Sequence, residues 1–303
     1  MPAQIHIANA PCSWGALEFD LEGTVQGYAK VLDEIKETGY EGTELGDWGF
    51  MPTDPDALYK EISSRSLELI GAFVPVALAK ESAHENGTEK ALQVARLMYH
   101  AGYKNAFIVL ADENGTVAER TKNAGRVTDA MKLSSSAMDT FAKGAEKVAA
   151  AVKKNYGMRT VFHHHCAGYI ETPDEIASLM KRTSPELLGL CFDTGHFRFG
   201  GGKDPLEIMD TNYDRIWHVH FKDFAPQVAE QAAVNGWDYF ESVKNGVFCE
   251  LGKGNVDFNA VSSFLAKRQY NGWIVVEQDV LPGMGNPKLY AMNNRNYLRN
   301  IGL

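Results

Sequence analysis

The sequence predicts an α/β protein, a single (β/α)₈ TIM barrel spanning residues 1–303. Three observations carry this. Eight short, nearly all-apolar runs alternate with longer amphipathic ones. Runs of that kind suit parallel strands buried on both faces. Polar residues cluster where the runs end, as they do at a barrel mouth. A doubly wound open sheet has the same βαβα order, but the count reaches eight without forcing. A 303-residue chain is also a common size for one α/β barrel.

The expected strands are Ile5–Ala8, Gly42–Leu45, Leu67–Val76, Asn105–Leu110, Arg159–His163, Leu188–Asp193, Ile216–Phe221 and Trp273–Glu277. Helical patterns fill most gaps between them. Tyr28, Val31, Leu32 and Ile35 recur at helical spacing, and Gly39 supplies a stop. Leu92, Ala95, Leu97 and Met98 repeat the pattern before Gly102. Met138, Phe141, Ala145 and Val148 mark a long helix around Leu133–Val152. Thr172-Pro173-Asp174-Glu175 has a capping residue, a first-turn proline and early acids, which open a helix. Asp257–Arg268 and Pro287–Arg299 are the last two. The stretch 224–257 is too long for a simple barrel connection and carries Trp237, Tyr239, Phe240 and Phe248. It reads either as a lid over the site or as an extra helix on the rim.

Charge narrows the function. Thirty Lys and Arg against 39 Asp and Glu leave a net charge of −9, unlike a nucleic-acid binder. No apolar run is long enough to span a membrane, and Met1–His6 does not open a secretory signal. Cys12, Cys166, Cys191 and Cys249 are far apart and form no CxxC pair, which suits reduced thiols in the cytoplasm. No GxGxxG fingerprint opens a helix, so a bound dinucleotide is not expected. Gly200-Gly201-Gly202-Lys203 lacks the P-loop pattern.

The chemistry gathers at the late strand ends. Six of the nine histidines fall there, at positions 163–165, 196, 218 and 220. Side chains alternate along a strand, so His163 and His165 share one face while His164 points away. The same parity groups His218, His220 and Lys222. His163, Asp193, His220 and Glu277 then come one from each of four adjacent strands. Two imidazoles and two carboxylates suit a divalent ion: Mn²⁺ or Co²⁺ first, with Mg²⁺, Fe²⁺ or Zn²⁺ open. Each residue also has a plain structural reading. His163 can be a hydrogen-bonded core histidine, Asp193 a helix N-cap and Glu277 a rim ion pair. Four in register are harder to explain separately. Trp14, after the first strand, is either a wall for a sugar ring or rim packing. Cys191 reads as a buried packing residue.

These segments resemble the xylose-isomerase-like TIM-barrel superfamily of sugar isomerases, epimerases and dehydratases. The resemblance lies in Gly42-Thr43-Glu44-Leu45-Gly46, His163-His164-His165-Cys166-Ala167-Gly168, Asp193-Thr194-Gly195-His196, His220-Phe221-Lys222-Asp223, Gly246-Val247-Phe248 and Gly272–Asp279. It implies a metal held by four strand ends, the last three matching Asp193, His220 and Glu277. The first is usually Glu in the isomerases and epimerases, whereas His163 stands here. A proton shuttle between two carboxylates is harder to run with that exchange. The His-x-His form resembles the inosose (2-keto-myo-inositol) dehydratases, while Ala10–Gly15 lacks their Asn- and Asp-rich continuation.

The resemblance implies a metal-dependent hydro-lyase that dehydrates a keto-cyclitol or keto-sugar through an enolate. His165 and His196 are the acid/base and substrate-binding candidates, each two or three residues beyond a proposed ligand. Lys222 is suited to stabilise enolate charge, and Glu44 to act as a second base or bind a hydroxyl. For Glu44 and Lys222 the alternative is a buried structural pair. Rival functions are a keto-sugar isomerase or epimerase, a β-eliminating lyase on an oxidised glycoside, and a non-catalytic sugar-binding module. The expected partner is a small polyol or keto-sugar, with no nucleic acid and no membrane. Barrels of this superfamily often pair, so a homo-oligomer is allowed.

Overall fold

Eight parallel strands close on themselves. They are β1 (Ile5–Asn9), β2 (Gly42–Glu44), β3 (Glu68–Val76), β4 (Phe107–Asp112), β5 (Thr160–His163), β6 (Leu188–Asp193), β7 (Ile216–Phe221) and β10 (Gly272–Val276). Each pairs with its sequence neighbour in the barrel, and β10 returns to β1. A separate antiparallel pair, β8 (Asp223–Phe224) and β9 (Phe248–Cys249), sits outside the barrel. The computed structural model describes residues 4–16 and 26–303. Met1–Ala3, part of the N-terminal stretch read above, lie outside the described residues. Among the described residues no helix is long and apolar enough to cross a membrane.

The period-2 alternation sorts side chains between two cores. Phe162, Leu188, Leu190, Phe192, Val219, Phe221, Ile274 and Val276 face the helices, joining Val31, Leu32, Phe141 and Val148. The intervening residues fill the barrel. Ala8, Ile70 and Val275 form one interior cluster, and Phe107, Val109, Val161 and Cys191 another. Every late strand therefore ends with an inward row. Val161 is followed two residues on by His163, Cys191 by Asp193, His218 by His220 and Val275 by Glu277. Register keeps those ends level: His163 pairs with Cys191, Asp193 with His220, and His220 with Val275.

The observed strands differ from the expected ones only at their ends. The fourth begins at Phe107 rather than Asn105 and runs on to Asp112, because β3 extends to Val76 and pairs with it there. The last stops at Val276, although Glu277 N–H still donates to Phe221 C=O at 3.0 Å. Asp257 caps the helix Phe258–Lys267 rather than belonging to it. Residues 224–257 hold two helices, Pro226–Asn235 and Tyr239–Lys244, between β8 and β9. Phe224, Tyr239, Val243, Val247 and Phe248 pack there against Cys166, Ala167 and Phe199. Asp223 anchors the segment's return, accepting the N–H groups of Phe224, Gly252, Gly254 and Val256 at 2.8–3.1 Å. A Cβ on Gly254 would lie 2.3 Å from the Asp223 Oδ1 atom, so only glycine allows this approach.

The turn after β5 is held by a buried ion pair. Arg120 donates both terminal nitrogens to Glu175 at 2.9 Å and its Nε to Gly168 C=O at 2.8 Å. Glu175 also accepts the Thr172 N–H at 3.0 Å, completing the expected capping box of the helix Pro173–Arg182. Both side chains are almost wholly buried. Arg120→Ala leaves the Glu175 charge without its partner and is expected to cost about 3–5 kcal/mol. Urea denaturation of the variant against the parent measures this; a loss below about 1 kcal/mol, typical of an exposed pair, would contradict it.

Candidate active site

The four proposed ligands converge. One ligating atom from each of His163, Asp193, His220 and Glu277 lies within 4.8 Å of the others, and all four residues are buried. His163 Nε2 is 3.6 Å from Asp193 Oδ2, and His220 Nδ1 is 3.3 Å from Glu277 Oε2 and 3.9 Å from Asp193 Oδ2. Asp193 satisfies both readings of its position. Its Oδ1 accepts the His196 N–H at 2.7 Å and caps the helix Thr194–Phe199, while Oδ2 faces the cluster. His220 is aimed by Glu44, whose Oε1 meets its Nε2 at 3.0 Å and so turns Nδ1 inward. The same oxygen meets His218 Nε2 at 2.7 Å.

Whether a metal fits is answered by the polar atoms left over. Asp193 Oδ2, His220 Nδ1 and both nitrogens of His163 are buried with no hydrogen-bond partner. Such atoms are costly unless a ligand satisfies them. Two nitrogens and two carboxylates around one point are a donor set for a divalent cation. The residues present fit one. Charge agrees. Burial pushes the Asp193 and Glu44 carboxyls up, but neighbouring cationic and hydrogen-bonding groups outweigh it and hold each at about 2. Lys222 and His163 act on Asp193, and His220 and His218 on Glu44. Glu277 is held well below the usual carboxylate range by His220 and Lys222, again against burial.

A second set of groups adjoins the first. Lys222 Nζ donates to Asp279 Oδ1 at 2.8 Å and lies 3.1 Å from Glu277 Oε2. It also lies 3.0 Å from His196 Nε2 and 4.9 Å over the Phe248 ring. His165, His196 and Asp279 could by distance hold a metal too, but the Lys222 ammonium already sits among their atoms. The His165 and His196 rings are in contact, with centroids 3.7 Å apart. One residue between the strands bonds to both. The Cys166 carbonyl takes the His165 Nδ1 proton at 2.5 Å, and the Cys166 N–H donates to His196 Nδ1 at 3.3 Å. The carbonyl can only accept, so neutral His165 carries its proton on Nδ1, while His196 stands between two donors, the Cys166 N–H at Nδ1 and the Lys222 amine at Nε2. Burial pulls both imidazoles well below the usual histidine range, so neutral forms prevail.

A cavity of about 50 Å³ opens onto this cluster, its walls including His163, His165, His220, Lys222, Glu277 and Glu44. Two expectations need correction. Trp14 does not line it. Its ring is 2% exposed in the core, and its Nε1–H donates to Glu34 at 2.7 Å, which draws the indole toward the first helix. His196 does not line it either; it stands behind the wall, against Lys222 and the His165 ring. Glu44 is on the wall, but its Oε1 is engaged by two imidazoles. Sequence reasoning also left Asp279 and Tyr239 unassigned. Asp279 carried a signal, since it lies two residues past Glu277 on the same inward parity. Tyr239 carried a weaker one, as one of the aromatics of the stretch 224–257 read as a lid or a rim helix.

Comparisons with known proteins agree with this architecture. The family model described as xylose isomerase-like TIM barrel matches residues 32–301. The inosose dehydratase of Lacticaseibacillus casei is 31% identical over 294 residues, covering 97% of this chain and 96% of that protein. That of Geobacillus kaustophilus is 31% identical over 294 residues, covering 96% and 93%. Among solved structures, a probable 3-DHS dehydratase from Bacillus anthracis superposes with a TM-score of 0.70 at 16% identity, covering 98% of this chain and 99% of that one. A 3-keto-D-glucoside 4-epimerase from E. coli gives 0.66 at 15%, covering 98% and 100%. The structural likenesses speak for the fold. With nearly the whole chain matched by the family model and by these relatives, the protein belongs to the xylose isomerase-like TIM-barrel family.

Proposed function

We propose that the protein is a metal-dependent hydro-lyase that removes water from a keto-cyclitol of the 2-keto-myo-inositol kind, through an enolate. The observation that carries this reading is one cavity wall that joins a four-donor cation cluster to a neutral imidazole, His165, and a buried ammonium, Lys222. The full-length likeness to inosose dehydratases supports the substrate class. His163 in the place usually held by Glu supports elimination over a proton shuttle between two carboxylates.

Dehydration of a β-hydroxy ketone needs a polarised carbonyl, a base at the adjacent carbon and an acid at the departing hydroxyl. A divalent ion held by His163, Asp193, His220 and Glu277, with Mn²⁺ or Co²⁺ as our choice, supplies Lewis-acid polarisation of the carbonyl. The Nδ1–H bond to Cys166 leaves the His165 lone pair on Nε2, the atom that takes the proton from carbon. Asp279 and Glu277 hold the Lys222 ammonium on the cavity wall, where it gives a proton to the leaving hydroxyl. One proton leaves carbon for His165, one leaves Lys222 for the hydroxyl, and water departs. His196 Nε2 lies 3.0 Å behind the Lys222 amine. Glu44 orients His220 rather than serving as a base. Cys166, Cys191 and Cys249 form no disulfide, which supports a cytoplasmic setting.

Four outcomes are expected. Metal-stripped protein given Mn²⁺ or Co²⁺ and 2-keto-myo-inositol should release one water per substrate, seen by product mass and near-ultraviolet absorbance. Solvent deuterium entering the substrate without water loss would instead identify an epimerase, and water loss without added metal would remove the cation from the reaction. His165→Ala should lower kcat by about 10²–10⁴-fold, the usual worth of a general base. Glu44→Gln should weaken Mn²⁺ binding by about 10–100-fold in calorimetry, because the partner that aims His220 is altered. The same calorimetry has a pH dependence of known sign. Burial lowers the His220 pKa, but Cys191, Glu277 and Glu44 outweigh it and raise it well above the usual value. The ion must displace that proton, so Mn²⁺ affinity should rise with pH; a flat profile would place His220 outside the coordination shell.

A further inference from the structure

The turn after β2 sets a carboxyl group on the cavity wall that the chemistry above does not use. Gly46 follows the strand at φ +72°, where a Cβ would crowd the Pro11 ring at 3.2 Å. Asp47-Trp48-Gly49-Phe50 then make a tight turn. The Phe50 N–H donates to the Asp47 carbonyl at 3.0 Å, and Gly49 takes φ +93°. Asp47 is thereby held half-buried on the wall of the catalytic cavity, while Trp48 is left exposed. Four carboxylates stand on that wall among the described residues: Glu44, Asp47, Glu277 and Asp279. Three are engaged, Glu44 by His218 and His220, and Glu277 and Asp279 by Lys222. Among the described residues no hydrogen bond or ion pair engages the Asp47 side chain, and burial alone pushes its carboxyl up to about 6.

Space gives this free acceptor a direction. The catalytic cavity holds about 50 Å³, far below the about 300 Å³ at which sites for small organic ligands begin. A six-membered polyol ring therefore reaches beyond it. A second hollow of about 430 Å³ lies beside the end of β3 and shares two wall residues with the first, Asp47 and Phe73. Its walls also include Trp48, Pro75 and, from the helix His84–His100, Lys90 and Gln93. The Phe73 ring is 6.3 Å from that of His163, so the junction adjoins the cation cluster. We infer that Asp47 is a substrate-binding residue: its carboxylate accepts hydroxyl protons of the polyol where the ring passes from the catalytic cavity into this hollow. The inference rests on the reading of the substrate as a keto-cyclitol. An ionised carboxylate offers only acceptors, and its two oxygens can take two neighbouring hydroxyls at once. Phe73 and Trp48 present aromatic faces to the C–H groups of the same ring. The metal end of the site then selects for a carbonyl, and the Asp47 end for hydroxyls.

Asp47→Ala tests this, with Asp47→Asn as the variant that keeps the shape of the side chain. In the Mn²⁺-loaded enzyme the KM for 2-keto-myo-inositol should rise about 10–100-fold, the order expected for lost hydrogen bonds to a charged group, with kcat within about three-fold. A second readout does not depend on turnover. myo-Inositol has no carbonyl to polarise, and its affinity for the Mn²⁺-loaded protein, read by saturation-transfer NMR titration, should fall at least about ten-fold in Asp47→Ala. The melting temperature should not fall, because the carboxylate has no partner in the protein to lose. Unchanged KM in an enzyme that dehydrates overturns the inference and leaves the dehydratase reading standing. A lower melting temperature with myo-inositol affinity kept would make Asp47 a brace of its turn, and also overturns it. If the parent does not dehydrate 2-keto-myo-inositol while Asp47→Ala still loses myo-inositol, the binding role stands and the reaction reading falls. A parent that neither dehydrates the one nor binds the other overturns both.

Discussion

The structure depends on one electrostatic constraint. Glu44, Asp193, Glu277 and Asp279 bury four carboxyl groups at one end of the barrel, and among the described residues Lys222 is the buried ammonium that faces the last three, while Glu44 meets His218 and His220. Burying charge in a low-dielectric interior is tolerable only when opposite charge and hydrogen bonds compensate it. One ammonium and a set of imidazoles do part of that work. The remaining deficit, together with unpartnered atoms on His163, Asp193 and His220, is what a divalent cation would relieve. The same excess of negative charge makes the pocket a destination for cations and defines which groups stay neutral.

The scaffold meets this constraint by using each polar residue twice. Asp193 caps a helix with one oxygen and faces the cluster with the other. Glu44 receives two imidazoles on one oxygen and aims one of them. Cys166 uses its carbonyl on one histidine and its N–H on the next. Thr194 accepts the Lys222 N–H and donates its hydroxyl to the Lys222 carbonyl, fastening the strand end that carries the amine. Gly195 makes that approach possible, since a Cβ there would lie 2.6 Å from the Lys222 Cγ atom. The chemistry is therefore held by strand ends and short turns, whose backbone is already committed to the barrel ladder.

Much of this was legible in one dimension because the strand period is two and the barrel has one mouth. Parity alone put His163, His220 and Lys222 on the inward face and His164 off it. His164 indeed turns aside, its Nε2 accepting the Asp193 N–H at 3.2 Å. Parity cannot say how far a side chain reaches or what stands before it. His196 sits at the right turn yet lies behind Lys222, because its ring is drawn to the Cys166 N–H and the amine. Trp14 sits on the right loop yet turns away, because Glu34 offers its indole a partner inside the protein.

The sequence by itself determined the barrel, the order of its strands, and which residues face inward where the strands end. Local alternation and capping decide these, and they act over a few residues. Only the tertiary structure decided which inward groups meet each other and in what protonation form. Those outcomes depend on contacts such as Glu44 with His220, 176 residues apart, and Tyr239 with His165, 74 apart. No local pattern encodes such distances, because closing the barrel and seating the inserted helices are what bring the partners into range.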